Sequence, residues 1–213
     1  WTYWIALGVG SVLIVPLQIF INKFANHFGL PGFTLPFIMM TWFFILISFS
    51  TGLLDYGREG VLATSATPST WMFDGGFDWN SWDWQDWMLV FTNSFEEIWV
   101  MDGWIGSFIC IAGYLWYNWQ FGLKACFASA FIVGMGFIFG ADMGMMNYAL
   151  YGYSALLTIG ALDTFGKSKL NGGRYWFLFF LGLVVTCMLN YAITPVLSTF
   201  GLPNMTLAFV LTG

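Results

Sequence analysis

The sequence predicts an all-α polytopic membrane protein, and three observations support this prediction. Hydrophobic residues make up 59% of the chain and charged residues only 8%, whereas soluble domains carry about 25% charged residues. The apolar residues form long runs, unlike the short alternating segments of a membrane β-barrel. Finally, a ten-residue segment near the start of the chain returns near its end. The mean hydropathy of +0.74 agrees with this class.

The apolar runs define the predicted elements in chain order. The first two runs are Trp4–Ile21, interrupted at Pro16, and Pro36–Leu53. Trp87–Met101 is too short to cross a bilayer, so we expect an interfacial or re-entrant segment there. Four later runs have about 16 to 20 residues, close to the length that a hydrocarbon core requires; they are Trp104–Trp119, Ala125–Ala141, Met143–Leu162 and Tyr175–Ile193.

Residues 54–86 form a polar connector between these apolar parts. The connector alternates aspartates with tryptophans, namely Asp74, Asp78, Asp83 and Asp86 with Trp71, Trp79, Trp82, Trp84 and Trp87 at its end. Indole rings favour the headgroup region of a membrane, so we expect this segment at the membrane surface. A binding role for this aromatic and acidic patch is the alternative.

Charge and motif content exclude several functions. The net charge is −5 and no basic stripe is present, so no nucleic-acid partner is predicted. The sequence contains neither a Ser/His/Asp set nor a nucleotide-binding fingerprint, which argues against an enzyme. His27 is the only histidine, and the three cysteines (Cys110, Cys126 and Cys187) lie in apolar runs without metal-ligand spacing. We therefore predict no catalytic residue, no metal site and no cofactor.

The repeated segment carries the strongest functional signal. Phe28–Phe37 and Phe200–Phe209 are identical at seven of ten positions. Pro31 and Pro203 should end helices, because proline lacks an N–H and clashes with the preceding turn. Paired helix breaks at corresponding places of two repeats indicate a substrate path. In that case the hydroxyls of Thr34 and Thr206 face the solute, and the alternative is that each threonine only caps its helix.

The charged residues near apolar runs give weaker signals. A carboxylate in an apolar stretch is a functional-site hypothesis, which applies to Glu96 and Glu97, although both can equally be solvated interfacial acids. At helical spacing at most one of them would face a central path. Asp142 and Asp163 flank apolar runs and are expected to be solvated or to cap helices. Lys124 should lie on the same side as Lys167, Lys169 and Arg174, which the positive-inside rule makes cytoplasmic.

These motifs resemble those of the urea transporters. Leu30-Pro-Gly-Phe-Thr-Leu-Pro-Phe37 matches the L-P-x-x-T-x-P-F signature that this family carries once per half. The second copy departs from the signature at Ala208. Glu97-Ile-Trp-Val-Met-Asp102 and Leu150-Tyr-Gly-Tyr-Ser-Ala-Leu-Leu157 resemble two further pore segments of the family, with Tyr153 in place of Phe and Ser154 in place of Asn.

The resemblance implies a fold of two inverted repeats with broken or re-entrant helices, here incomplete at both ends. Residues 1–53 would be the end of the first repeat and residues 87–213 the second repeat. The implied function is channel-like passive transport of urea or a similar small neutral amide by a multi-pass protein of the lipid bilayer, assembled as a trimer or dimer. The implied pore residues are Thr34, Thr206, Glu97, Tyr153, Leu157, Phe37 and Phe209.

Two other functions remain open at this point. The chain can be a non-conducting, transporter-like structural subunit held by companion subunits of a larger membrane complex. It can also be a channel for another small neutral or cationic solute, such as ammonia, attracted by Glu97.

Overall fold

The structure is a computed structural model that describes residues 2–28, 32–51, 84–99, 104–139, 152–167, 169–200, 202 and 204–212. Within these ranges every regular element is helical, which confirms the all-α prediction. The chain divides into two compact units. The first unit comprises Trp1–Ala66 and Ile193–Val210, and the second comprises Thr67–Ala192 and Leu211–Gly213. The division into repeats at residues 1–53, 54–86 and 87–213 is a different partition and stays a prediction.

The described ranges contain eight α-helices in chain order. They are α1 (Thr2–His27), α2 (Leu35–Thr51), α3 (Trp84–Glu96), α4 (Trp104–Tyr117), α5 (Trp119–Phe139), α6 (Gly152–Ala161), α7 (Gly172–Thr199) and α8 (Leu207–Thr212). A short 3-10 turn, Glu97–Trp99, follows α3, and a π-helical turn, Leu162–Gly166, follows α6.

Two prolines lie inside helices rather than at their ends. The sequence predicted an interruption at Pro16, but α1 runs through it to His27. Likewise, α7 continues through Pro195 to Thr199. Each proline removes one backbone hydrogen bond of its helix. The rest of the ladder persists because an apolar environment offers the backbone no other partners.

Other boundaries differ from the prediction by several residues. The predicted runs Trp104–Trp119 and Ala125–Ala141 leave residues 120–124 between them, yet only Asn118 separates α4 from α5. Asn118 Oδ1 accepts a hydrogen bond from the Phe121 backbone N–H at 3.2 Å, so this residue caps α5. Helix α3 begins at Trp84, within the predicted connector. The rest of that connector and residues 140–151, where the run Met143–Leu162 begins, lie outside the described residues.

The second unit is built around α6, which packs against both α3 and α5. Helix α7 adds apolar side chains to the same core. The fully buried members include Phe95, Ile132, Ile159, Phe179 and Leu183. Trp87–Met101 was expected to be an interfacial or re-entrant segment, and in its helix α3 the side chains of Thr92, Asn93 and Ser94 are buried.

The first unit pairs α1 with α2. Gly10 permits a close approach of the two helices, because a β-carbon at this position would lie 2.7 Å from Phe44 Cε2. In the described part of the chain, two helical segments are long and apolar enough to cross a membrane, Gly8–His27 and Gly172–Leu197. Leu35–Ile47 and Ile105–Tyr117 are shorter apolar helices.

Candidate functional site

The two copies of the repeated segment build the same backbone structure in the first unit. Equivalent residues of the copies are 172 positions apart. In the first copy the N–H of Phe28 bonds the carbonyl of Ala25, and that of Leu35 bonds the carbonyl of Gly32. In the second copy the equivalent bonds join Phe200 to Leu197 and Leu207 to Asn204. Helix α1 ends at His27 and α7 at Thr199, again 172 positions apart. Pro31 and Pro203 themselves lie outside the described residues.

Both breaks contain a residue in the left-handed backbone region. Phe33 has φ of 42° and Met205, its equivalent, has φ of 49°. This conformation costs a residue with a β-carbon about 1–2 kcal/mol. Its presence in both copies shows that the surrounding structure holds each break in a defined geometry.

The two breaks bring the central threonines together. Thr34 Oγ1 and Thr206 Oγ1 are 2.6 Å apart, although the residues are 172 positions apart in the chain. Each threonine directly precedes a helix, and its carbonyl accepts the N–H of residue 38 or 210. Both therefore occupy N-cap positions by backbone geometry. Their hydroxyl groups also contact each other. Capping of the helix is therefore not the only interaction of these two threonines.

The departure from the signature at Ala208 leaves the second helix start intact. Pro36 and Ala208 are both buried and both occupy the second position of their helices. The N–H groups in the first turn of a helix have no intrahelical partner. Alanine in place of proline at the second helical position therefore changes no hydrogen bond within the helix.

The two phenylalanines of the signature have different environments. The Phe209 side chain is buried and its ring lies 4.8 Å from the ring of Phe33. The Phe37 side chain is 49% exposed. Phe209 thus packs across the two copies, while the ring of Phe37 stays accessible.

The remaining predicted site residues belong to the second unit. Tyr153 is buried in the first turn of α6, and Leu157, one turn later, is half-buried. Glu97 is half-buried in the turn after α3 and acts electrostatically on Tyr153. Gly152 permits the close packing of α6 against α3, because a β-carbon at this position would overlap Ser94 Oγ of α3. The side-chain position of Glu96 is not among those described.

A buried hydroxyl pair lies one turn further along α6. Thr158 Oγ1 donates to the Ser154 carbonyl at 2.9 Å and lies 2.9 Å from Thr186 Oγ1 of α7. A hydroxyl has one proton, so Thr186 is the donor in the second bond. This pair connects α6 and α7 inside the second unit.

Comparison with known proteins decides the family. The family model described as UT: Urea transporter matches residues 1–213, the whole of this chain. The chain belongs to the urea transporter family. The comparison with curated proteins gave no match.

Membership of this family establishes the function in general form. Urea transporters are passive urea channels of the membrane rather than enzymes, so this urea transporter is an integral membrane protein that moves urea down its gradient. The match does not favour the alternative of a non-conducting structural subunit.

One charged residue of the transporter departs from its sequence prediction. Asp163 was expected to be solvated or to cap a helix, but it pairs with Lys124 at 2.6 Å, and both side chains are 11% exposed. The Tyr175 hydroxyl also donates to Asp163, and Lys124 Nζ donates to Tyr175 Oη at 2.7 Å. Lys124 therefore contacts the turn that follows α6, and the side of the membrane on which it lies stays a prediction. Asp142 is outside the described residues.

Sequence reasoning assigned no role to the polar residues in and next to the breaks of the transporter. Asn204 Nδ2 donates to Thr194 Oγ1 at 3.0 Å, and Gln18 Nε2 donates to Asn22 Oδ1 at 3.0 Å. At the 172-residue offset Asn22 aligns with Thr194 and Asn204 aligns with Gly32, so no repeated residue marks these positions. That offset also aligns Tyr3-Trp4 with Tyr175-Trp176 and Gly10 with Gly182.

Proposed function

We propose that urea passes the Thr34 and Thr206 hydroxyls, which act as hydrogen-bonding groups of the transport path. The observation that carries this proposal is their 2.6 Å contact at two equivalent helix breaks. Non-helical backbone within a membrane persists where it is buried in protein or lines a wet path. A pair of such breaks that presents two hydroxyls to each other suits a path better than it suits simple packing.

The hydrogen-bonding capacity of this pair fits urea. Two hydroxyls have two protons and four lone pairs. Their mutual bond uses one proton and one lone pair, so one proton and three lone pairs remain. Urea has four N–H protons and one carbonyl oxygen, so it can donate to these lone pairs and accept the free proton.

The same groups disfavour ions. The hydroxyls carry no net charge, and the Phe33 and Phe209 rings beside the breaks are apolar. An ion that left its hydration shell for such surroundings would lose far more free energy than a neutral amide. Selection for small neutral solutes follows from this difference.

We also propose solute-contacting roles for Glu97, Tyr153 and Leu157 of the second unit, and for Phe37 of the first. Glu97 would accept N–H groups of the solute, while the Tyr153 ring and Leu157 would pack against its flat face. The burial of Tyr153 in the first turn of α6 supports this role.

Substitutions of Glu97 can distinguish a urea channel from a channel for a cationic solute. Glu97→Gln keeps a carbonyl oxygen but removes the charge, whereas Glu97→Leu removes both. Urea flux that survives in Glu97→Gln and falls in Glu97→Leu would support an acceptor role. A flux of ammonium that depends on the charge itself would instead favour the cation channel.

We propose further that the transporter crosses the bilayer several times and assembles as a homo-oligomer, a trimer or dimer, or with companion subunits. The two long apolar helices and the extensive exposed apolar surface, including Trp116 and Tyr117, support multiple crossings. Native mass spectrometry of the detergent-solubilised protein measures the assembly state.

The experiment that tests the threonine proposal is urea flux into liposomes containing the purified protein, measured by stopped-flow light scattering. Thr34→Val and Thr206→Val should each lower the flux per protein up to about tenfold, because a lost hydrogen bond of roughly 1–1.5 kcal/mol corresponds to such a factor. Thr41→Val and Thr199→Val are matched controls. Their hydroxyls bond the Phe37 and Val196 carbonyls of their own helices, so their flux should stay near that of the unmodified protein.

Two outcomes would contradict the proposal. Flux equal to that of the unmodified protein in all four variants would show that the hydroxyl pair is not part of the transport path. Flux no greater than that of protein-free liposomes would show that this chain alone does not conduct urea.

A further inference from the structure

We infer that one side-chain amide at each helix break positions the threonine of that break. At the first break the amide is Asn22 of α1, and at the second it is Asn204 of the break itself. The two amides fill the equivalent space between helix and break, but they reach it from opposite sides. This inference rests on the proposed role of Thr34 and Thr206. At the 172-residue offset, Asn22 is equivalent to Thr194 and Gly32 is equivalent to Asn204. The two copies thus exchange the place of the amide between the helix and the break.

In the second copy the amide belongs to the break. Asn204 is two residues before Thr206, and its Nδ2 donates to Thr194 Oγ1 of α7 at 3.0 Å. Both side chains are buried, with 6% and 8% exposed. The amide therefore ties the break to the helix that precedes it.

In the first copy the amide belongs to the helix. Gly32, two residues before Thr34, is buried, and a β-carbon at this position would overlap Asn22 Oδ1 and lie 3.3 Å from Ile21 Cγ2. Gln18 Nε2 donates to the same Oδ1 at 3.0 Å, which fixes the orientation of the Asn22 amide. Asn22 thus occupies the space that a side chain at residue 32 would need.

The next residue explains why this space must be filled. Phe33 and Met205 follow the exchanged positions directly and have left-handed backbone, which costs free energy. Surrounding contacts have to hold such a residue in place. The threonine comes immediately after it, so a shift of the break moves the hydroxyl that meets its partner at 2.6 Å. Asn22 and Asn204 are therefore positioning residues, acting on the solute through the threonines.

The exchange makes a specific prediction about paired substitutions. Gly32→Asn alone places two amides in one space, and Asn22→Thr alone leaves none. The double variant Asn22→Thr/Gly32→Asn gives the first copy the arrangement of the second. Asn204→Gly alone removes the second amide, and Thr194→Asn/Asn204→Gly gives the second copy the arrangement of the first. Each single change should lower urea flux about fivefold or more, and each double variant should recover to within about twofold of the unmodified protein, as expected for directly coupled residues.

A second measurement separates positioning from loss of folded protein. The ratio of urea flux to thiourea flux does not depend on how much active protein the vesicles contain. We expect this ratio to change in the single variants and to return in the double variants. Asn26→Thr, at an exposed position of α1, and Gly113→Asn, where a β-carbon meets nothing within 4 Å, are the matched controls and should change neither quantity.

The outcomes separate this inference from the proposed function. Double variants no better than their worse single variants, or a flux ratio that never changes, would overturn the inference. Should Gly32→Asn alone fail to fold, the inference requires that Asn22→Thr/Gly32→Asn folds, and its failure would also overturn it. Absent flux in the unmodified protein, or full flux in Thr206→Val, would instead contradict the role of the threonines.

Discussion

The ion pair between Lys124 and Asp163 gives a stability prediction that can be worked out from its surroundings. The pair joins α5 to the turn after α6, and Tyr175 of α7 completes a triangle of hydrogen bonds. Lys124 Nζ also lies 4.6 Å from the centre of the Tyr175 ring. Replacing Asp163 by Asn keeps the shape of the side chain but leaves the lysine charge without its carboxylate.

The expected magnitude follows from the burial of the pair. Removing one partner of a fully buried pair costs about 3–5 kcal/mol, whereas exposed pairs contribute roughly 0–1 kcal/mol. Both side chains are 11% exposed, so Asp163→Asn should cost about 2–4 kcal/mol, near the buried limit. For a chain of this size each kcal/mol lowers the melting temperature by about 2–4 °C, giving a decrease of roughly 5–15 °C.

Thermal unfolding of the purified protein in detergent, followed by size-exclusion chromatography, measures this decrease. Lys124→Met should have a similar effect, and the double variant should lose less than the sum, with a coupling of about 1–3 kcal/mol. Lys169→Met is the matched control, since Lys169 is exposed in the same part of the chain. Additive losses, or a loss from Asp163→Asn no greater than that of the control, would refute the reasoning.

Three further predictions concern the second unit. Burial alone would raise the pKa of Asp163, but hydrogen bonds from Lys124 and Tyr175 and nearby positive charges outweigh burial and lower this pKa. The ion pair therefore stabilises the folded protein fully at pH values above the unfolded-state pKa of about 3.9. This stabilisation is lost as the pH falls through the lower folded-state pKa, so acid titration of the melting temperature should show a step that Asp163→Asn lacks. Gly152→Ala would overlap Ser94 and should destabilise the protein by about 1–3 kcal/mol, whereas Gly113→Ala meets nothing within 4 Å and should stabilise it by up to about 1 kcal/mol in the same assay. Thr158→Val leaves the buried Thr186 hydroxyl without its acceptor and should cost about 1–3 kcal/mol, and a melting temperature equal to that of the unmodified protein would contradict this assignment.

The sequence predicted the features that have a local signature. A duplicated Leu-Pro-x-x-Thr segment in apolar sequence indicates two helix breaks, and the structure places its two threonines in contact. Helices α4 and α7 begin within three residues of their predicted starts, because long apolar runs mark them directly. The assignments of Glu97, Tyr153 and Leu157 came from resemblance and stay predictions.

Features that depend on distant partners could not be predicted in the same way. The sequence around Asp163 looks like that of a solvated turn, and its partner Lys124 is 39 positions away. Pro16 and Pro195 satisfy the local rule for a helix end, yet the apolar surroundings keep both helices intact. Neither amide appears as a repeated residue, because at the 172-residue offset Asn22 aligns with Thr194 and Asn204 aligns with Gly32.

The contact between Thr34 and Thr206 has a consequence for biosynthesis. The first unit joins Trp1–Ala66 to Ile193–Val210, whereas almost all of the second unit is the continuous segment Thr67–Ala192. Chain segments emerge from the ribosome in order, and contacts between distant residues form late. We therefore expect the segment translated second to fold first. A nascent chain arrested before residue 193 would contain α1 and α2 without the segment Ile193–Val210 that completes their unit, so these two helices would be more accessible to proteolysis than in the finished protein.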